Sequence, residues 1–178
     1  LEADRVGVSV ISNEVGEFLA FYLKNKIVKE LVEIGSGYGY STKLLHLLLP
    51  KANIVSLERH IPRYEVAKDF LSHPNIEFVL GDGQDYLAKR KKKIDLLFLD
   101  GSKPHYVYFL QEALAHMNKG SLLIADNIFA RGLSYDSKCD RRHRTLQRRM
   151  HAFLELVFEE FHATILPIDD GLLIGEKK

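Results

Sequence analysis

Along this chain the apolar residues come in short runs that end at glycine, proline or a carboxylate, and the stretches between carry apolar residues at helical spacing. Ser12-Asn13-Glu14 ahead of Val15, Phe18, Leu19 and Leu23 predicts a capped amphipathic helix. Lys26 to Ile34 is the first predicted strand. Ser41 to Leu49 is the helix after it, stopped by Pro50. Asn53 to Glu58 is the second strand, and a helix follows from Pro62, a good first helical residue, to Leu71. Asn75 to Leu80 is the third strand. Gly81-Asp82-Gly83 then turns into a short helix that runs out in Lys89-Arg90-Lys91-Lys92-Lys93. Ile94 to Leu99 is almost wholly apolar, the pattern of a strand buried on both faces. Tyr106 to Met117 reads as a helix stopped by Gly120, and Ser121 to Ala125 as the fifth strand, ending at Asp126-Asn127. A loop through Gly132 and Cys139 leads to a long helix, Arg142 to Phe161. Two short strands close the chain, Ala163 to Ile168 and Leu172 to Gly175.

Strands and helices therefore alternate at spacings suited to βαβ crossovers. The end departs from this. Asp169-Asp170-Gly171 between two apolar runs is a tight-turn signal, so the last two strands predict an antiparallel hairpin. The expected fold class is α/β: a Rossmann-like, doubly wound sheet of about seven strands, mostly parallel, with that hairpin at its edge.

Composition narrows this only slightly. The chain is 46% hydrophobic and 28% charged, a globular usage, and its 178 residues suffice for one sizeable core, so residues 1–178 read as a single domain. The net charge is +1 with His neutral, which leaves only local basic patches for any nucleic acid. Cys139 is the only cysteine, which excludes an intramolecular disulfide and fits a reducing cytoplasm, the expected location. No apolar run approaches bilayer length, so no membrane partner is expected. The chain opens Leu1-Glu2-Ala3-Asp4-Arg5, with neither a basic-then-apolar leader nor an initiator Met.

The chemistry starts at Leu31-Val32-Glu33-Ile34-Gly35-Ser36-Gly37-Tyr38-Gly39-Tyr40-Ser41, a strand, a glycine-rich turn and a helix start. In a parallel sheet such a turn faces the ligand crevice. A dinucleotide fingerprint wants Gly-x-Gly-x-x-Gly. Here the third glycine position is Tyr40, and that bulk argues against a pyrophosphate. Glu33 suits an amine better than two phosphates. Glu58 ends the second strand, where a carboxylate takes both hydroxyls of a ribose, and Asp82 ends the third, where it meets an adenine edge. Those three partners describe S-adenosylmethionine without a phosphate site. Strand-end acids that merely face water are the alternative.

Asp100 ends the fourth strand and Asp126-Asn127 end the fifth. If those strands are neighbours, two carboxylates and an amide oxygen converge. An all-oxygen set suits a hard cation, Mg²⁺ or Ca²⁺, rather than Zn²⁺. Asp and Asn are also common turn residues, and Lys103 reads equally as a solvated loop lysine or as a base.

The stretches Glu33 to Ser41, Glu58, Gly81-Asp82, Leu99-Asp100-Gly101-Ser102-Lys103 and Asp126-Asn127 together resemble the class I methyltransferases. More narrowly they resemble the metal-dependent O-methyltransferases related to catechol and caffeoyl-CoA methyltransferases, and within these a bacterial branch that includes tRNA 5-hydroxyuridine methyltransferases. The resemblance runs from Ile11 to Lys178. It implies a seventh strand inserted antiparallel. It implies S-adenosylmethionine held by Ile11, Glu33, Gly35, Ser36, Gly37, Tyr40 and Ser41, and by Glu58, Arg59, Asp82, Gly83 and Asp100 beyond them. It implies a divalent cation, Mg²⁺ foremost, on Asp100, Asp126 and Asn127, with Lys103 and Asp100 catalytic. It departs at the N-terminus, where relatives carry further helices over the site, so the substrate lid and any homodimer contacts stay open.

Arg141, Arg144 and Arg148 recur at helical spacing and form either a basic stripe for a phosphate-bearing substrate or a solvated face balanced by Glu155 and Glu159. His105, His116, His143 and His151 read as surface or capping residues. The expected function is an O-methyltransferase acting on a small hydroxylated substrate, catechol-like or enol-like, with 5-hydroxyuridine in tRNA as the alternative acceptor. A SAM- or RNA-binding module without catalysis is the non-enzyme alternative. A nucleotide-dependent reductase is weakened by Tyr40.

Overall fold

The structure, a computed structural model, describes residues 11–133, 140–141 and 143–178. In chain order its elements are α1 (Asn13–Leu23), β1 (Glu30–Ile34), α2 (Tyr40–Leu48), β2 (Asn53–Glu58), α3 (Ile61–Phe70), β3 (Ile76–Leu80) and α4 (Gly83–Lys89). They continue with β4 (Ile94–Leu99), a 3₁₀ turn (Lys103–His105), α5 (Tyr106–Leu114), β5 (Met117–Ala125), α6 (Arg144–Glu160), β6 (Phe161–Leu166) and β7 (Leu172–Lys177).

The seven strands form one sheet in the order β3-β2-β1-β4-β5-β7-β6. The first five run parallel, and β7 lies antiparallel between β5 and β6. The expected doubly wound sheet with an antiparallel C-terminal hairpin is therefore what the chain adopts. After β3 the path crosses β1 to reach β4, so the order reverses between β1 and β4. A crevice opens at that switch point, beyond the carboxyl ends of the strands.

Strand alternation divides the core between the two faces. Val32, Ile34, Leu97, Leu99 and Leu123 pack under α5 and α6, whereas Leu31, Leu96, Phe98, Leu122 and Ile124 pack under α1 and α2. Each such buried side chain stabilises the fold by about 1.5–3 kcal/mol.

Several boundaries differ from the sequence expectation. The first strand starts at Glu30 rather than Lys26: pairing with Asn53 of β2 begins at Glu30, and the Lys29 and Glu30 amides are taken by the Asp95 carboxylate at 2.8 and 3.0 Å. Gly120 does not stop a helix. That helix ends at Leu114, and Gly120 lies inside β5 at φ +85°, next to a register shift between Ile94 and Leu96. The last two strands begin at Phe161 and Leu172, so the first of them starts two residues early. The start expected at Arg142 and the loop at Cys139 lie outside the described residues. The run Lys89 to Lys93 is not all solvated. Arg90 is buried, and its guanidinium donates to the Tyr86 hydroxyl, the Glu30 carboxylate and the Lys92 and Lys93 carbonyls. Among the described residues no helix is long and apolar enough to cross a membrane.

One side chain ties the fold to the strand ends. Tyr106 is fully buried, and its hydroxyl reaches the carbonyls of Leu99 at 3.0 Å and Asp126 at 3.3 Å, the last residue of β4 and the first after β5. Tyr106→Phe keeps the ring packing and removes that link. The expected loss is about 1 kcal/mol of unfolding free energy in urea denaturation.

Candidate active site

The switch-point crevice is a cavity of about 340 Å³. One wall is the glycine turn, with Gly35, Ser36, Gly37, Tyr40 and Ser41. Glu58, Arg59, Asp82 and Gly83 form a second, and Ile11, Asp100 and Lys103 close the rest. Of the twelve residues expected to hold the methyl donor, eleven line this one cavity.

Local packing explains the glycines. Gly35 has φ +104°, and a Cβ on it would stand 2.6 Å from the Asp100 carbonyl oxygen. Only glycine lets β1 and β4 approach this closely. A Cβ on Gly83 would lie 2.8 Å from the Ile34 side chain, so Gly83 seats α4 against β1. The acids are pre-set as well. Glu58 is 7% exposed, and its Oε2 accepts from the Gly37 amide at 3.0 Å while Oε1 accepts from the His60 amide at 2.9 Å. Each oxygen keeps a further lone pair directed away from the backbone. Asp82 caps α4, its Oδ1 accepting from the Gln84 amide at 2.8 Å.

Glu33 is the exception, and its expected role as an amine partner at the cavity has to be corrected. Strand alternation turns it away with Leu31, beneath α2. There it is wholly buried, and its Oε2 accepts from Thr42 Oγ1 at 2.5 Å and Ser56 Oγ at 2.6 Å. It does not line the cavity. Burial pushes its carboxyl pKa up, the hydroxyls of Ser41, Ser56 and Thr42 pull it back, and Glu58 raises it again. Glu33 thus ties β1 to α2 and β2 underneath the turn. Asp100 is the carboxylate that faces the cavity from this side.

Beyond Asp100 the second group of residues comes together. β4 and β5 are parallel neighbours in register through Leu99 and Ala125, which brings Asp100 and Asp126-Asn127 side by side. Lys103 Nζ stands 4.0 Å from Asp100 Oδ1 and 3.5 Å from Asn127 Oδ1. Asp126 is 2% exposed, and its Oδ1 accepts from the Asn127 amide at 2.8 Å. Burial first, then Asp126, push the Asp100 carboxyl up to about 8, against the pull of Lys103. Burial also raises Asp126, helped by Asp169 and Asp170 and opposed by the Asn127 amide and Lys103. Two acids and one amide oxygen with surplus negative potential are what a hard cation requires. Among the described residues no group of three or more His, Cys, Asp and Glu side chains gathers for a metal, so any such centre depends on the Asn127 amide.

Sequence reasoning missed Tyr38, Arg63, Ser102 and Phe109 in the cavity lining. Arg63 lies four residues after Arg59, in the first turn of α3, a spacing that could have found it. Phe109 reads in sequence as ordinary core. The histidines take bland roles where they are described: His105 Nδ1 pairs with Ser102 Oγ at 3.0 Å, and His116 Nε2 meets the Leu87 carbonyl at 3.0 Å.

A switch-point cavity sharing a wall with an oxygen-donor cluster defines a class of α/β protein that brings a bound ligand against a polar reaction site. The chain belongs to the O-methyltransferase family, whose family profile matches residues 4–178. It is 28% identical over 162 residues to the catechol O-methyltransferase of Niastella koreensis, a match spanning 86% of this chain and 73% of that protein. It is 27% identical over 134 residues to the catechol O-methyltransferase of Sus scrofa, spanning 68% and 72%. The fold matches the O-methyltransferase TomG from Streptomyces achromogenes in complex with SAM, with TM-score 0.85, 21% identity, and 99% of this chain and 86% of that one covered. It also matches the O-methyltransferase from Bacillus cereus in complex with SAH, with TM-score 0.83, 23% identity and coverage of 99% and 86%.

The raised acids predict a pH dependence. A carboxyl whose folded pKa lies above its ordinary value adds stability at low pH and loses it as pH rises. For Asp100 the window runs from 3.8 to about 8. In EDTA the melting temperature should fall across that window. Asp100→Asn should flatten part of the fall in differential scanning calorimetry. An unchanged pH profile would refute the assignment.

Proposed function

We propose that this chain moves the methyl group of S-adenosylmethionine to an acidic hydroxyl of a small catechol-like or enol-like acceptor, with a divalent cation on Asp100, Asp126 and Asn127. One observation carries the reading. Asp100 and Lys103 line the ligand cavity and also reach into the oxygen cluster, so one wall serves both the donor and the acceptor. The solved structures of like fold hold SAM or SAH, and the relatives named above are catechol O-methyltransferases.

Within this reading Glu58 takes the ribose diol with its remaining lone pairs, while Gly37 and His60 fix its carboxylate. Ser36 Oγ is buried on the cavity wall and has no hydrogen-bond partner among the described residues, so it is free to meet a polar atom of the donor. Asp100 faces the donor's ammonium. A divalent cation held by Asp100, Asp126 and Asn127 would supply charge that lowers the pKa of the acceptor hydroxyl. Lys103 Nζ, 3.5 Å from Asn127 Oδ1, takes the hydroxyl proton. The acceptor oxygen then attacks the methyl carbon in line. The O–C bond forms as the C–S bond breaks, and the sulfonium becomes the neutral thioether of S-adenosylhomocysteine.

A second reading, with 5-hydroxyuridine in tRNA as acceptor, is favoured by the exposure of Arg141, Arg144 and Arg148. The helix carrying Arg144 and Arg148 packs on the Lys103 turn, where Arg149 donates to the Pro104 carbonyl at 3.4 Å. Product mass spectrometry after incubation with labelled SAM, Mg²⁺ and either catechols or unmodified tRNA separates the two. Methylated catechol supports the small-acceptor reading. Methylated tRNA, lost when the three arginines are neutralised, transfers the assignment to RNA. On either acceptor Lys103→Ala should lower kcat by about 10²–10⁴-fold with the KM for SAM little changed. Activity that survives both EDTA and Asp126→Ala sinks the cation.

A further inference from the structure

We propose that Asp170 and Gly171, in the β6–β7 turn, are positioning residues that clamp the loop carrying Asn127 into the shape the cation cluster needs. This rests on the cation reading above.

The loop after β5 has an unusual backbone. Asn127, Ala130 and Arg131 have φ of 52°, 50° and 57°, in the left-handed region that L-residues avoid. Asn tolerates that region; Ala and Arg do not favour it, and the loop's own bonds are few. Ala130 N donates to the Asn127 carbonyl at 3.1 Å and Leu133 N to the Ala130 carbonyl at 3.2 Å. The remaining support comes from far along the chain. The Ile128 amide donates to the Gly171 carbonyl at 3.0 Å, and the Phe129 amide to the Asp170 carbonyl at 2.9 Å. The Arg131 amide is shared between both carboxylate oxygens of Asp170, each at 2.9 Å. Three of the loop's four amides from 128 to 131 thus end on two residues of the hairpin turn.

The side chains make the same junction. Gly171 has φ +87°, and a Cβ there would stand 2.7 Å from the Phe129 ring. The ring therefore seats on a bare glycine, and no other residue lets the turn and the loop close. The turn itself is held by the Gly171 amide, which donates to the Ile168 carbonyl at 3.0 Å.

The consequence falls on Asn127. Its amide oxygen lies 3.5 Å from Lys103 Nζ, and its backbone amide holds Asp126 Oδ1. The side-chain contact depends on the left-handed twist at Asn127, which sets where its amide oxygen projects, and the clamped segment begins there. Asp169, Asp170, Lys103 and Arg131 also line a shared open groove on this side, so the clamp sits at the edge of the region an acceptor enters.

The test uses Mn²⁺ binding followed by electron paramagnetic resonance, with SAH affinity by calorimetry on the same samples. Asp170→Ala removes the acceptor for the Arg131 amide and should weaken Mn²⁺ binding by about tenfold or more, as losses of outer-shell partners do. Asp170→Asn keeps an acceptor oxygen and should stay within about threefold of the parent, as should Asp169→Asn, which removes a like charge without touching the loop. Gly171→Ala attacks the junction from the other side and should match Asp170→Ala. SAH affinity should hold in all four. Equal Mn²⁺ affinity in Asp170→Ala and the parent overturns the proposal, and so does an equal loss in Asp170→Ala and Asp170→Asn, which would make charge the cause. Loss of SAH binding along with Mn²⁺ overturns it too, since the turn would then support the whole domain. Failure of the parent to bind Mn²⁺ removes the cation reading itself.

Discussion

The close approach of β1 and β4 at their carboxyl ends is the constraint on which the site depends. At that crossing Gly35 leaves no room for a side chain against the Asp100 backbone. A relay of backbone bonds runs through it: the Gly35 amide donates to Leu57, the Asp100 amide to Ile34 and the Asp126 amide to Leu99, at 2.8, 3.0 and 2.9 Å. Each strand end is thereby set by the next. The donor cavity, Asp100 and the Asp126-Asn127 pair occupy fixed positions along one edge of the sheet. Lengthening the separation between β1 and β4 by one methyl group would move the cavity wall away from the cluster it serves.

Around that edge the protein gathers three acids that it does not fully compensate. Glu33 is held by hydroxyls and stays inside the scaffold. Asp100 and Asp126 face each other across neighbouring strands with Lys103 as the nearby cation, and both are pushed towards the neutral form. Burial without full pairing costs stability, and it accumulates at the place where a cation and an acceptor hydroxyl would be brought together.

Much of this was legible in the chain. Apolar runs alternating with helical spacing, and Asp169-Asp170-Gly171 between two of them, described the parallel sheet and its terminal hairpin, because burial on one or two faces leaves its period in the sequence. The glycine turn, Glu58, Asp82 and Asp100 line one cavity, and their places at strand ends were legible because they follow directly from where strands stop. The errors had local causes. Gly120 looked like a helix stop because positive φ serves a bulge as well as a cap. Arg90 looked solvated within a basic run because its partner Glu30 lies sixty residues away. Glu33 was assigned to the ligand because its strand-end position was visible and the side of the sheet it faces was not.

The sequence by itself determined which residue types stand at the strand ends and the order of the elements that present them, since residue type, spacing and periodicity are local properties. Tertiary structure decided which of those residues meet. Parallel neighbours β4 and β5 put Asp100 beside Asp126, Tyr106 bridged the ends of both strands, and the β6–β7 turn reached back to shape the loop at Asn127. None of these contacts joins residues that neighbour one another along the chain, and each forms only when the sheet order places distant segments within hydrogen-bond reach.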